Sequence, residues 1–296
     1  MTAIARPAPS AVVELLKPIT WFPPMWAFGC GVVSSGLPIA PRWPLVVAGA
    51  ILAGPLVCAT SQAVNDWYDR HVDAINEPGR PIPSGRIPGQ WGLYIGLMWT
   101  ALSLAVASTL GYFVFAAACV GLVLAWAYSA PPIRLKRNGW WGNSAVAACY
   151  EGLPWLTGAA VMIGAAPSWP VFVVAGLYSV GAHGIMTLND FKAVEGDIRS
   201  GIGSLPVRLG VERAAQFACL VMALPQLAVI AALLGWGYPI HAALIGGLLI
   251  MQLFLMMKLL ENPKAKAPWY NATGVTLYVL GMLIAAFALG SSQGAA

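Results

Sequence analysis

Two short acidic segments hold most of the reactive side chains in this sequence. The first reads Asn65-Asp66-Trp67-Tyr68-Asp69-Arg70-His71-Val72-Asp73, with Glu77 just beyond it. The second reads Asn189-Asp190-Phe191-Lys192-Ala193-Val194-Glu195-Gly196-Asp197. Together they contain seven of the 11 acidic residues of the chain. On a helix, positions i, i+3 and i+7 share a face, so Asp66, Asp69 and Asp73 form a row, with Asn65 beside it at i, i+4 to Asp69. Stacked carboxylates repel one another, and a divalent cation relieves that repulsion. An oxygen-only donor set with no His/Cys partners favours Mg²⁺ over zinc. Mg²⁺ takes one or two carboxylates and completes its shell with water and substrate phosphate.

In the second segment Asp190 and Asp197 stand at i, i+7. Glu195 points elsewhere on an unbroken helix, unless Gly196 ends the helix and frees it. The pattern predicts a diphosphate held by Mg²⁺ between the two segments, with Asp66, Asp69, Asp73, Asp190 and Asp197 as catalytic metal ligands. Asn65, Asn189 and Glu195 would border the substrate. Arg80, Lys136, Arg137 and Lys192 are the candidates for direct phosphate contact. For Lys136 and Arg137 a plain role as basic anchors at a membrane surface competes with that reading.

The elements that position these residues are membrane helices. Of the 296 residues, 59% are hydrophobic and 9% charged, against roughly 45–50% and about 25% in a soluble domain. Charge is absent from 18–41, 43–65, 87–133, 214–257 and 267–296, and 138–189 contains only Glu151. A spanning helix needs about 20 apolar residues, and these runs lack the alternation of barrel strands. They predict an all-α bundle of about nine transmembrane helices in one domain, 1–296. The expected spans are 20–37, 44–64, 90–109, 112–130, 144–164, 169–188, 214–235, 238–258 and 269–289.

Of the 16 Lys and Arg residues, all but Arg42 fall on one side of that arrangement. The positive-inside rule makes that side cytoplasmic, which puts the amino terminus and both acidic segments at the cytoplasmic surface of a bacterial inner membrane, cytoplasmic or intracytoplasmic. The net charge of +5 suits an anionic bilayer, and no nucleic-acid signature is present. The five cysteines all lie in predicted spans without metal-ligand spacing, which reads as buried filler.

Two ionisable residues fall inside spans, where they are functional candidates by default. His183 precedes Asp190 by seven residues and is expected on the same helix face, bound to substrate or to a neighbouring helix. Glu151 is expected either at the substrate or beside a structural partner such as an Arg. The Asn-Asp pairs 65–66 and 189–190 lie four predicted helices apart. Each is followed by a Pro/Ser/Arg-containing stretch, 81–86 and 204–210, which suggests a weak parallel repeat of four helices.

Nine predicted helices, the NDxxDxxxD pattern at Asn65–Asp73 and Arg80-Pro81-Ile82-Pro83-Ser84-Gly85 resemble the UbiA superfamily of intramembrane prenyltransferases over nearly the whole chain. The second motif departs from the superfamily's common DxxxD, having Val194, and so leaves open which of its acids would bind metal. Within the superfamily, Lys17–Trp26, Asp73–Pro78, Tyr128–Pro132 and Asn189–Asp197 are similar to the branch that esterifies chlorophyll-type pigments. His71-Val72-Asp73, Arg86–Gly89 and Gly181–Met186 favour its bacterial members.

The resemblance implies Mg²⁺-dependent transfer of a C20 isoprenyl group, from geranylgeranyl or phytyl diphosphate, to the propionate of bacteriochlorophyllide a. It leaves room for pigment-biosynthesis or photosynthetic assembly proteins as partners. Two other readings compete: prenylation of an aromatic acid or quinone precursor at the same diphosphate site, and transport of a lipid or metal. Transport predicts acids near the bilayer midplane, whereas these lie at one edge.

Overall fold

The apolar runs fold as helices whose starts are marked by proline. In the computed structural model, which describes residues 6–293 of the chain, Pro23, Pro44, Pro154, Pro170 and Pro239 each stand in the first turn of a helix. At Pro23, Pro44, Pro170 and Pro239 the missing N–H costs no hydrogen bond, whereas Pro154 directly follows a π-helical segment inside the helical stretch Gly139–Ile163. The helices are α1 (Pro9–Leu16), α2 (Phe22–Ser34), α3 (Trp43–Ile51), α4 (Ala59–Asn76), α5 (Trp91–Thr109), α6 (Tyr112–Ser129), α7 (Gly139–Ala147), α8 (Leu153–Ile163), α9 (Trp169–Asp190), α10 (Val194–Ser200), α11 (Leu205–Leu209), α12 (Val211–Gly235), α13 (Pro239–Glu261) and α14 (Pro263–Gln293). No strand occurs among the described residues, where one isolated bridge pairs Asn138 with Gly203.

Eight helical stretches among the described residues are long and apolar enough to cross a membrane. They correspond to the second through ninth expected spans. The first, expected over 20–37, is α2, only 13 residues long and thus about 20 Å. Two stretches join shorter helices through π-helical segments. Leu52–Cys58 links α3 to α4, and Ala148–Gly152 links α7 to α8. The first of these composite helices runs on through Asn76, well past the expected end at 64, so the acidic row is helical throughout.

Close backbone approach holds the bundle together. In a bilayer, association relies on van der Waals packing, which small residues permit. α2 lies along α8, α9 along α12, and α13 along α14. At the first crossing a Cβ on Gly31 would stand 1.9 Å from the Trp155 carbonyl oxygen, and one on Gly158 would stand 2.1 Å from that of Phe28. Three aromatic side chains fix the centre: Trp155 stacks on Tyr178 (5.7 Å), which meets Tyr278 edge-on (5.2 Å). Tyr278 and Trp155 hydrogen-bond to neighbouring helices, while the Tyr178 hydroxyl is buried without a partner among the described residues. Tyr278 donates to the Tyr178 carbonyl at 2.6 Å, and Trp155 Nε1 donates to Ser34 Oγ at 2.9 Å. Gln226 and Gln252 exchange amide hydrogen bonds of 3.0 and 3.2 Å between α12 and α13.

Gly158→Val forces α2 and α8 apart and is expected to cost about 1–3 kcal/mol, as overpacking does. A thermal melt of the detergent-solubilised protein checks this; an unchanged midpoint would contradict so tight a crossing.

Candidate active site

The acidic row on α4 is divided by its own helical phase. At 100° per residue, Asp73 lies only about 20° from Asp66, while Asp69 is offset by about 60°. Asp66 and Asp73 are buried and turn toward one set of cations. Asp66 Oδ1 accepts from Lys17 Nζ at 2.6 Å and from Arg80 Nη1 at 3.3 Å, and the same Nη1 donates to Asp73 Oδ2 at 2.9 Å. The rest of the Arg80 fork holds Glu77 through Nε and Nη2, both at 2.7 Å. That grip keeps the Glu77 carboxyl below the usual carboxylate range.

Asp69 turns to a second set. It accepts from Lys136 through both oxygens and from Arg134 Nη2 at 3.1 Å. Asn65 Nδ2 donates to Asp69 Oδ2 at 3.0 Å and also reaches Ser129 Oγ at 3.2 Å. Burial pushes the Lys136 ammonium below the ordinary lysine value, against the opposing pull of Asp69.

The second segment approaches from α9 and α10. α9 ends at Asp190, residues 191–193 form a turn, and α10 carries Glu195, Gly196 and Asp197. The break therefore precedes Gly196, which lies inside α10 and does not release Glu195. Asp190 Oδ2 accepts from Asn143 Nδ2 of α7 at 3.0 Å, and Asp197 Oδ2 accepts from Ser204 Oγ at 2.6 Å. Burial raises the Asp197 carboxyl, with the Ser204 bond acting the other way.

Both segments meet at one cavity of about 190 Å³, lined by Asn65, Asp69, Tyr128, Lys136, Asn143, Asp190, Asp197 and Ser204 among others. A second, apolar cavity of about 220 Å³ adjoins it, sharing Asn65 and Tyr128. This one continues between Leu52, Ala118 and Leu153 through the shared Val57, Gly121 and Cys149. The result is a charged head opening into an apolar channel, with both π-helical segments in the channel wall.

Among the described residues no three His, Cys, Asp or Glu side chains converge as a formed metal cluster. The donor chemistry nonetheless fits Mg²⁺, since Asp69, Asp190 and Asp197 line one cavity; Asp66 and Asp73, expected beside them, lie outside its lining and pair with Lys17 and Arg80.

Five expected site residues stand elsewhere. Arg137 is exposed and joins the region only through its backbone, its carbonyl accepting from Gly203 N–H at 3.0 Å. Asn189 is exposed and accepts from Asn271 of α14 at 2.8 Å. Glu195 is exposed and pairs with Lys264 at 2.5 Å, drawn away by the same helix. His183 borders a different cavity with Trp140, Ser144 and Phe217, and α7 lies between that cavity and the acids; its Nε2 bonds the Trp140 carbonyl at 3.2 Å. Glu151 is buried in the second π-helical segment with no ion pair, one oxygen unpartnered, and lines neither of the two cavities. Lys192 is exposed at the rim, within electrostatic reach of Glu77. Conversely, Lys17, Arg134, Asn143 and Ser204 hold site carboxylates that sequence spacing had not linked to them.

The UbiA prenyltransferase family matches residues 20–280. The chain belongs to the UbiA prenyltransferase family. It is a prenyltransferase enzyme and a multi-pass membrane protein. Over 283 residues it is 63% identical to the bacteriochlorophyll synthase 33 kDa chain of Cereibacter sphaeroides, covering 96% of this chain and 94% of that one. The bacteriochlorophyll synthase 34 kDa chain of Chloroflexus aurantiacus is 44% identical, with 94% and 89% covered. The chloroplastic chlorophyll synthase of Arabidopsis thaliana is 40% identical, with 93% and 73% covered. The solved structure of a UbiA homologue from Archaeoglobus fulgidus bound to GPP and Mg²⁺ superposes with a TM-score of 0.71 at 19% identity, covering 97% of this chain and all of that one.

In this UbiA-family site, Arg80 bridges Asp66, Asp73 and Glu77. Arg80→Gln leaves buried carboxylates with fewer partners and is expected to destabilise the protein on the order of 1–3 kcal/mol. An unchanged thermal midpoint would mean that Arg80 contributes nothing to holding the row.

Proposed function

We propose that this enzyme transfers a geranylgeranyl or phytyl group from its diphosphate to the propionate carboxylate of bacteriochlorophyllide a, forming the esterified pigment. The observation that carries the reading is the joined pair of cavities: a charged chamber for a diphosphate opens directly into an apolar channel for a long hydrocarbon. The 63% identity to a bacteriochlorophyll synthase chain supports the pigment as acceptor. The asymmetry of basic residues supports a bacterial inner membrane with the charged chamber at its cytoplasmic face.

Each group in the chamber has a part. Lys136 and Arg134 balance Asp69 in the resting protein and are placed to take phosphate oxygens when the donor enters. Lys17 and Arg80 do the same at Asp66 and Asp73. Asn143 and Ser204 orient Asp190 and Asp197 toward the cavity. Mg²⁺ held by Asp69, Asp190 and Asp197, with Asp66 and Asp73 completing the row, would neutralise charge building on the departing diphosphate.

The isoprenyl chain lies in the apolar channel, where few water molecules can intercept the developing allylic cation. Tyr128, shared by both cavities, offers an aromatic ring near that carbon. The acceptor carboxylate titrates near 4 and is already ionised at neutral pH, so no general base is needed.

The test is a product assay. Solubilised protein with Mg²⁺ and either C20 diphosphate is expected to esterify bacteriochlorophyllide a and to leave 4-hydroxybenzoate unprenylated, with products identified by mass. Asp66→Ala combined with Asp69→Ala is expected to lower turnover on the order of 10²-fold or more, the scale of losing electrostatic stabilisation at a reacting centre. Full Mg²⁺-dependent turnover in that double variant would refute the proposed site.

A further inference from the structure

The two parts of the apolar channel meet at a glycine that helix packing does not require. Gly121 is buried in the middle of α6, in regular helix. Where backbones approach closely, as at Gly31 and Gly158, an added Cβ would collide with main-chain atoms at 1.9 and 2.1 Å. At Gly121 a Cβ would make only ordinary contacts, 3.6 Å to Leu153 Cδ1 and 3.6 Å to Val57 Cγ1. A glycine inside a helix is less stable than an alanine. Neither close packing nor backbone conformation accounts for it, which leaves the space that its missing side chain keeps open.

That space is a neck between two cavities. Val57, Gly121 and Cys149 border both the cavity of about 220 Å³ beside the charged chamber and a smaller one of about 30 Å³. Val57 comes from the first π-helical segment and Cys149 from the second. Cys149 Sγ rests 3.8 Å from the Gly121 carbonyl oxygen. A side chain at 121 would project between Val57 and Leu153, into the neck. Tyr128, at the boundary with the charged chamber, stands seven residues further along α6, about 10 Å along the axis and on the same side of the helix. A dry cavity of about 150 Å³ holds one benzene. On that scale the first cavity, at about 220 Å³, holds about nine carbons, close to two isoprene units. The distal half of a C20 chain therefore has to pass Gly121. The second cavity is bordered by the half-buried Ala53 and Ala117, whose small side chains leave a way out toward lipid.

We propose that Gly121 determines donor length: its missing side chain lets the distal half of a C20 isoprenyl chain pass from the first cavity into the second and on past Ala53 and Ala117 to the bilayer. This assignment rests on the reading above that the donor is a C20 diphosphate. A side chain at 121 closes the neck and leaves room for a C10 donor alone. Gly121 lies away from the reacting bond, so it governs which hydrocarbon binds and leaves the diphosphate contacts as they are.

The test is equilibrium binding of C10 and C20 thiodiphosphates, with Mg²⁺, to the purified full-length protein. The wild-type protein is expected to bind the C20 analogue more tightly. Gly121→Leu should weaken the C20 analogue about 10-fold or more, the scale of two methylenes losing their buried position, and the C10 analogue less than about 2-fold. Gly121→Ala adds a Cβ that the neck accepts at 3.6 Å, so it keeps the fold even if the leucine variant does not. It should weaken the C20 analogue about 2- to 5-fold and leave the C10 analogue unaltered. Equal losses of both analogues, or unaltered C20 binding in every variant that folds, would overturn the assignment while leaving the C20 reading intact. Absence of Mg²⁺-dependent binding of either analogue to the wild-type protein would instead overturn the donor reading, and this assignment with it.

Discussion

Carboxylates at the end of a membrane bundle repel one another and resist burial, and the architecture of this protein follows from how that cost is met. Asp66, Asp69 and Asp73 are each engaged by a cation brought from outside α4: Lys17 from the segment before α2, Arg80 from the loop after α4, and Arg134 and Lys136 from the turn before α7. A charge left in low dielectric without such partners is strongly destabilising. The partners therefore tie three separate parts of the chain to one helix end. The same arrangement serves function, because cations that neutralise carboxylates at rest are already in place for an anionic substrate.

The second consequence concerns water. The chamber is lined by charged and polar side chains, while the adjoining channel is lined largely by apolar ones and includes residues of both π-helical segments. Cys58 and Tyr150, one from each π-helical segment, line that channel. Charge is handled in one compartment and hydrocarbon in the next, with Asn65 and Tyr128 at the boundary. A reaction that separates a diphosphate from an allylic carbon needs that division.

Much of this was legible from sequence because it depends on local periodicity. Uncharged runs locate the eight long helices, and the i, i+3, i+7 spacing identifies the acidic row on α4. The failures arise where tertiary contacts or helix breaks intervene. The three-residue turn at 191–193 shifts the phase of everything after it, and Lys264 on α14 takes Glu195. Of the three basic residues at 134–137, Arg134 and Lys136 face inward and Arg137 outward, a consequence of the left-handed backbone at Arg134 (φ 41°) that spacing alone does not reveal. His183 does lie two helical turns before Asp190, but α7 packs between the cavities that the two residues line. Asn143 and Ser204 gave no signal, since each matters only through a partner distant in the chain.

The central claim is that acids from two helix ends and the cations between them form one Mg²⁺-dependent diphosphate site. The most direct measurement is equilibrium binding of a C20 thiodiphosphate, a slow-reacting donor analogue, to the purified protein with Mg²⁺ and with chelator. The account predicts that chelation weakens binding by at least tenfold, and that Asp69→Asn and Asp190→Asn each abolish the Mg²⁺ dependence. Binding that is equally tight in chelator, or Mg²⁺ dependence that survives both substitutions, would contradict it.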